Sequence, residues 1–436
     1  MKRRVVVVGG GAAGTVVAAR LLGCRVDVVL VESADRPGGA AYSTSDERHL
    51  LNVPAGRMGA DEEDPDGFVR WLRHRRPVEP GDFVPRGLFG RYLEDYLRAC
   101  GDAAPGRLER VRGRAVSVDA DRTVRLAGGR ALTADAVVLA IGTQPPGTSW
   151  VPPDLAGLVP DPWAPGALAA VPGDEDVLLV GTGLTMVDVA ITLARPGRVV
   201  HAVSRRGLLP RVHRPGTPVV PWEPSATTEL SSLRAELAAH LRDAVLRQGD
   251  WRGAFDGLRP HTAHLWARLS EEDKDAFLAD DVRAWDVRRH RLPPATAAEL
   301  TRLRRAGLVR VRRGSVGSFS GGVTLTDGTR LPVGAVVNCT GAEADLRRVA
   351  DPLVRSLLDR GLARPGPAGL GFDTAADGAV RGAVGGLWTL GAPRRGNLWE
   401  TTAFPEIRAQ ARGLAGVVTR YLTEQNHPHP IRELAS

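Results

Sequence analysis

The sequence predicts an α/β fold of two doubly wound units with parallel sheets, accompanied by β-meanders and a helical insertion. Three observations carry this prediction. A short apolar run, closely spaced glycines and a helical pattern follow one another twice, at residues 5–22 and 177–193. Each block is followed by a second apolar run, at residues 26–31 and 199–203. Residues 111–142 and 309–341 then share one plan: short strands broken by a glycine turn, and a buried strand ending in glycine. Strands that alternate with helices read as βαβ units, and glycine-broken short strands read as meanders returning to each sheet.

The first block begins with four valines, residues 5–8, the pattern of a strand buried on both faces. Gly9-x-Gly11-x-x-Gly14 follows at once. Gly9 permits a tight turn, Gly11 lets backbone approach a pyrophosphate, and Gly14 lets the helix pack closely on the sheet. Ala12 and Ala13 open that helix, whose free N–H groups and partial positive charge suit phosphate. The second strand ends at Glu32, eighteen residues past Gly14, where an acid accepts hydrogen bonds from an adenosine ribose. Strand, glycines, helix, strand and acid in this order predict a Rossmann-like dinucleotide site; a glycine-rich turn without a ligand is the plainer reading.

The second block, Gly181-Thr182-Gly183-Leu184-Thr185-Met186, has methionine where the third glycine stood, which predicts looser helix–strand contact. Its second strand ends at Ser204-Arg205-Arg206 rather than at an acid. Arginine there removes repulsion of a 2′-phosphate and offers it a forked donor, so this block is expected to bind NADPH rather than NADH.

Residues 208–294 read as a helical insertion, with leucines at helical spacing and Trp251, Trp266 and Trp285 spread through it. His261 and His264 could share a helix face, but no nearby acid or cysteine completes a ligand set, so no metal site is expected. Arg288-Arg289-His290-Arg291 reads as a solvated charge run, with contact to an NADPH phosphate as the alternative. Near the C-terminus a strand reaches Gly391. Thr401 or Thr402 then suits a helix cap, Pro405 its first turn and Glu406 its dipole. The expected organisation is a first domain at 1–165 and 325–436, interrupted by a second at 166–324.

A chain of 436 residues buries a large core without disulfides. Cys24, Cys100 and Cys339 are too few and too far apart for a disulfide framework, a zinc knuckle or a Cys-x-x-Cys pair. The net charge is +8, yet only Lys2 and Lys274 are lysines, so the basicity reflects an arginine-rich composition rather than a nucleic-acid partner. Residues 1–24 imitate a signal segment, but Arg20 and the glycines interrupt it, and no run approaches the ~20 apolar residues of a membrane span. A cytoplasmic protein without a membrane partner is expected.

Residues 32–42, Glu-Ser-Ala-Asp-Arg-Pro-Gly-Gly-Ala-Ala-Tyr, resemble the FAD-binding start of the two-dinucleotide-domain flavoproteins. Gly39 to Tyr42, Leu51 to Gly56, Val84-Pro85-Arg86, Gly181 to Asp188, Trp285-Asp286-Val287 with His290-Arg291, and Leu398 to Gln410 together resemble a bacterial FAD/NAD(P)-binding family, similar in layout to the class B and N-hydroxylating monooxygenases. The resemblance implies FAD in the first domain, held by Gly9, Gly11, Ala12, Ala13, Gly14, Glu32, Ser33, Gly39, Ala40, Asn52, Val53, Pro54, Arg57, Ala115, Val116, Ile141 and Gly142. Thr340, Gly341, Gly391, Thr401, Thr402 and Ala403 complete that set, with a helix N-terminus aimed at the flavin. NADPH falls to Gly181, Gly183, Leu184, Thr185, Ser204, Arg205 and Arg206. The family's Gly-Asp before the last helix is here Gly391-Ala392, which puts its ribityl contact in doubt.

The activity implied is an FAD-dependent, NADPH-using monooxygenase that inserts oxygen from O2 into a small polar molecule through a flavin C4a-hydroperoxide, with N-hydroxylation as one form. Asn52 would position flavin or peroxide, and Glu400 would hold NADPH or a substrate amine. The alternatives are an NADPH-dependent FAD oxidoreductase without oxygen insertion, and a non-catalytic flavin-binding protein. The oligomeric state is left open.

Overall fold

Four consecutive valines bury both faces only in the middle of a sheet, and there they lie. The computed structural model of the chain describes residues 3–33, 38–152, 154–320, 322–382 and 384–425. Strand β1 (Arg4–Val8) keeps its valines at 5% exposure or less, and helix α1 (Ala12–Gly23) crosses from it to the parallel β2 (Asp27–Glu32). Helices α2 (Gly67–Arg73) and α3 (Arg86–Asp102) follow, then β3 (Leu108–Arg112) beside β2. A meander of β4 (Ala115–Val118), β5 (Val124–Leu126) and β6 (Ala131–Leu132) leads to β7 (Ala136–Leu139), which returns to the other side of β1.

The second unit repeats the plan. After β8 (Leu158–Val159), β9 (Val177–Val180) feeds α4 (Leu184–Leu193) and the parallel β10 (Val200–Ser204). The insertion supplies α5 (Leu230–Gln248), α6 (Arg252–Gly257), α7 (Thr262–Arg268), α8 (Glu271–Asp280) and α9 (Val282–Arg289). Helix α10 (Pro294–Arg305) then leads to β11 (Val309–Arg313). A second meander, β12 (Val316–Ser318), β13 (Val323–Leu325) and β14 (Arg330–Leu331), precedes β15 (Ala335–Asn338) between β9 and β8.

The chain finally returns to the first unit. Helix α11 (Pro352–Asp359) packs on the first meander and β16 (Leu387–Thr389) adds to the sheet beside β7. After the short α12 (Arg395–Leu398), α13 (Phe404–Glu424) lies along α1. The two five-stranded parallel sheets have orders β16-β7-β1-β2-β3 and β11-β10-β9-β15-β8. Helix α1 is buried along nearly its whole length because α3 and α13 cover the face the sheet does not, and its alanines and valines allow that approach.

The pairing of β8 and β15 carries the second sheet from residue 158 to residue 338. The second sheet thus extends on both sides of residues 166–324 in the sequence, with β8 before them and β15 after. Met186, in place of the third glycine, is fully buried in the second unit's core with Val187 and Val189. No described helix is long and apolar enough to cross a membrane.

Candidate functional site

Each glycine turn contains a glycine that packing demands and a glycine that packing does not. Gly9 has φ +111°, with a hypothetical Cβ 2.3 Å from the Ala140 carbonyl oxygen; on Gly14 a Cβ would lie 1.7 Å from that of Gly9. On Gly11 it would meet nothing nearer than 3.8 Å. The second turn repeats this: a Cβ on Gly181 (φ +116°) would lie 2.1 Å from the Cys339 carbonyl oxygen, and one on Gly183 would meet nothing nearer than 3.9 Å. Gly11 and Gly183 are the N-caps of α1 and α4, and no side chain caps either helix. Open room beside helix ends that no side chain caps fits a pyrophosphate at both turns.

At the first turn, a Cβ on Gly10 would touch Glu32 Oε2 at 2.4 Å, so the Glu32 carboxylate lies over the glycines. Arg110 holds Glu32 Oε1 from Nε and Nη2 at 2.9 and 2.8 Å, a partner the sequence pattern did not reveal. Gly38 bridges Gly11, which brings Gly39 against the turn. Ser33 and Ala40 are exposed, and residues 34–37 of the FAD-like segment lie outside the described residues. Gly142 has φ +66° and open space around it, with Ile141 half-buried beside it. Ala115 is buried beneath the meander with Val118 and Leu126; Val116 is half-buried on the same strand.

At the second turn the two expected arginines have separate roles. Arg206 donates to the Asp280 carbonyl and, at 3.1 Å, to that of Ala279, which satisfies the C-terminal end of α8. Arg205 is exposed and, among the described residues, has no ion-pair partner. Arg313 stands at the end of β11, in register with Ser204, and also lines the cleft. Ser204 itself is committed to Thr182 (2.8 Å) and to the Gly207 amide (3.0 Å). Arg283 of α9 reaches the carbonyl oxygens of Thr182 and Leu208 at 2.9 and 2.7 Å, so the insertion roofs this turn.

The second turn opens into a cleft of about 1490 Å³. Asn52, Val53, Pro54 and Arg57 line it from one side, and Gly181, Gly183, Leu184, Thr185, Ser204 and Arg205 from another. Thr340, Gly341, Glu400, Thr401, Thr402 and Ala403 complete the walls. The first turn, Glu32, Ala115, Val116, Gly142 and Gly391 do not line this cleft. The Asn52 carboxamide makes no side-chain hydrogen bond among the described residues, while its backbone oxygen accepts from His213 Nε2 at 3.0 Å. Burial, then the charge of Arg291, pushes the His213 pKa down to about 4, so a neutral ring donates that bond.

Neither Thr401 nor Thr402 caps the last helix, contrary to the sequence reading. The Thr401 hydroxyl donates to the Gly391 carbonyl at 3.0 Å and accepts from Gln410, so a strand end has claimed it. Ala403 is the N-cap of α13 without a side-chain cap; Glu406 and Ile407 donate to its carbonyl and Pro405 has no N–H, so the helix end reaches the cleft with the Phe404 N–H and its partial positive charge. The run 288–291 is not a solvated charge run either. Arg289 Nε lies 2.7 and 2.8 Å from the Glu400 oxygens, and both side chains are only 12% exposed. Arg291 pairs with Asp256, and Arg259 Nε with Glu406 at 2.6 Å in the first turn of α13. The Arg289–Glu400 and Arg259–Glu406 pairs bind the insertion to the segment around the start of α13, and Glu400 is held there rather than free.

A second set of contacts fixes the two units to each other. Arg86, at the start of α3, pairs with Asp188 of α4 at 2.8 Å and stacks over Trp163. His49 is buried; its Nε2 faces the Asp188 carbonyl oxygen at 3.2 Å and the Thr192 hydroxyl at 2.8 Å, and Nδ1 faces the Thr44 hydroxyl at 2.9 Å. Arg48 donates to the Ile191 carbonyl at 2.9 Å. Burial, then the charge of Arg86, pushes the His49 pKa down to about 4 from 6.5. Above pH 6.5 the ring is neutral in both folded and unfolded chains. Between 6.5 and 4 only the unfolded chain takes up the proton, so stability falls with pH, by roughly 2 kcal/mol at pH 5. His49→Gln is therefore expected to cost less stability at pH 5 than at pH 7.5, as urea unfolding at the two pH values would show; equal costs would refute the buried neutral imidazole.

A family model described as FAD-NAD(P)-binding matches residues 6–144. No curated protein matches the sequence. Among solved structures, the ornithine hydroxylase of Pseudomonas aeruginosa is similar at 15% identity and TM-score 0.60, over 97% of this chain and 100% of that one. The ornithine N-hydroxylase of Kutzneria sp. 744 gives 14% and 0.59, over 96% and 99% of the two chains. The bacillithiol disulfide reductase of Bacillus cereus gives 14% and 0.56, again over 96% and 99%. Identities this low speak for the fold alone. Residues 6–144 form an FAD/NAD(P)-binding domain, and the chain as a whole has the fold of the two-dinucleotide-domain flavoproteins.

Proposed function

We propose that the protein is an NADPH-dependent FAD oxidoreductase that inserts one oxygen atom of O2 into a small polar substrate, at nitrogen. One observation carries the reading: the second glycine turn, the Asn52–Pro54 corner and the N-terminus of α13 line a single cleft. When bound, FAD accepts the hydride of NADPH and supplies the reduction of O2. The chain's own residues bind, orient and shield. Helices α1 and α4 offer uncapped N–H groups to the two pyrophosphates, and α13 directs positive potential into the cleft. The Asn52 carboxamide is free to donate to and accept from flavin or substrate. Glu400 acts as a positioning residue through Arg289, and the α8–α9 roof excludes water.

Two of the fold neighbours are named ornithine hydroxylases, which supports oxygen insertion at nitrogen. Thiol chemistry is disfavoured, because Cys24 is exposed and Cys339 buried, far apart in sequence, with no Cys-x-x-Cys pair. Mixing the reduced protein with O2 in stopped flow tests the proposal. A delayed, two-phase return of the oxidised flavin spectrum, with the delay lengthened by NADP+, is expected. A single-phase return with stoichiometric hydrogen peroxide would leave only the reading without oxygen insertion.

The cofactor choice has its own test. Arg205→Ala and Arg313→Ala are each expected to weaken NADPH about tenfold while leaving NADH nearly unchanged. Arg206→Ala should change the two alike, since its guanidinium serves α8. Equal losses for NADPH and NADH in the Arg205 variant would refute the 2′-phosphate assignment.

A further inference from the structure

A second concavity, about 540 Å³, lies outside the nucleotide cleft on the last turns of α5. Its apolar lining is Leu241, Val245, Leu246 and Trp251. Val245 and Leu246 are 45% and 86% exposed, two of the three large apolar side chains that the described residues leave most open to water. Arg211, Arg242 and Arg288 complete the lining. Flanking arginines are paired, Arg247 with Asp243 at 2.7 Å and Arg252 with Asp250 at 2.9 Å. The three in the groove have no carboxylate partner among the described residues; Arg288 reaches only the Ala284 carbonyl of its own helix, at 2.9 Å. Burial, then the charge of Arg211, lowers the Arg288 pKa, so like charges face each other here.

Unpaired guanidiniums beside exposed apolar side chains specify a ligand with both characters. We propose that this groove binds an amphipathic anion: a medium-length straight-chain carboxylate, its chain along Leu241, Leu246 and Trp251 and its head on the arginines. A guanidinium fork matches a carboxylate in shape and charge, and the apolar chain removes exposed leucine and valine surface from water. The groove's size decides between occupants. It falls within the ~300–1,000 Å³ of small-molecule sites, whereas seven lining residues fall far short of the roughly 20–30 per side in a stable protein interface. The site is independent of the redox reading, because none of its lining residues faces the nucleotide cleft.

Calorimetric titration of the flavin-loaded protein with decanoate, below its micelle concentration, tests the proposal. Saturable one-to-one binding is expected, about tenfold or more tighter than 1-decanol, which lacks the charge, or propionate, which lacks the chain. The R211Q/R242Q double variant and Leu246→Gln should each lose about tenfold, with flavin content and NADPH oxidation unchanged. Three outcomes overturn the proposal: 1-decanol binding as tightly, affinity unaltered in both variants, or Leu246→Gln turning a dimer into a monomer in sedimentation. The last would make the groove a self-interface.

Discussion

Replacing Gly183 by valine is expected to lower NADPH affinity about a hundredfold while the protein stays folded and keeps its FAD. The reason lies in the unequal roles of the turn's glycines. A Cβ on Gly183 meets no protein atom within 3.9 Å, so the added side chain fills room kept for the pyrophosphate and blocks the N–H groups of α4. Gly181→Ala should behave oppositely. Its Cβ would come within 2.1 Å of the Cys339 carbonyl oxygen and its φ is +116°, so the cost falls on the fold. Thermal denaturation and nicotinamide titration of the two variants separate these effects. Destabilisation of the Gly183 variant to the same degree as the Gly181 variant would show that the space serves packing, not a ligand.

Replacing Arg289 by methionine is expected to destabilise the protein by about 3 kcal/mol. Arg289 contacts both Glu400 oxygens, and removing it strands a carboxylate that is 12% exposed in the cleft wall. Arg289 also lies 3.9 Å from Asp256 and from Glu406, so its loss loosens the ties between insertion and α13. The R289M/E400Q double variant should recover most of the loss, because no charge is left unpaired. Urea unfolding of the two single variants and the double variant measures this directly. Additive losses would mean that the pair does not act as one unit.

The order of sheets was legible because each strand and glycine turn is a local signal. Consecutive valines demand a central strand, and a Gly-x-Gly turn demands a strand before it and a helix after it. The same holds for Asn52, Pro54 and the second turn, which the fold gathers around one cleft. What escaped the sequence depends on partners far away along the chain. Thr401 is a sound cap by composition, yet Gly391 claims its hydroxyl through the return of the chain to the first sheet. Arg289 and Arg291 sit in an arginine-rich run, where abundance hides the two that are nearly buried against Glu400 and Asp256. Arg313 stands beside Ser204 only because β11 pairs with β10, a register that no local motif announces. The roof that α8 and α9 form over the second turn is likewise visible only once Arg206 and Arg283 are seen on their carbonyls.

On the proposed function two dinucleotides meet in this chain, with hydride passing from NADPH to bound FAD. Anaerobic stopped-flow mixing of the purified protein with NADPH tests it most directly. Complete bleaching of the flavin absorbance is expected, much faster with NADPH than with NADH. A colourless protein that cannot be reconstituted with FAD, or a bound flavin that NADPH leaves unbleached, would contradict it.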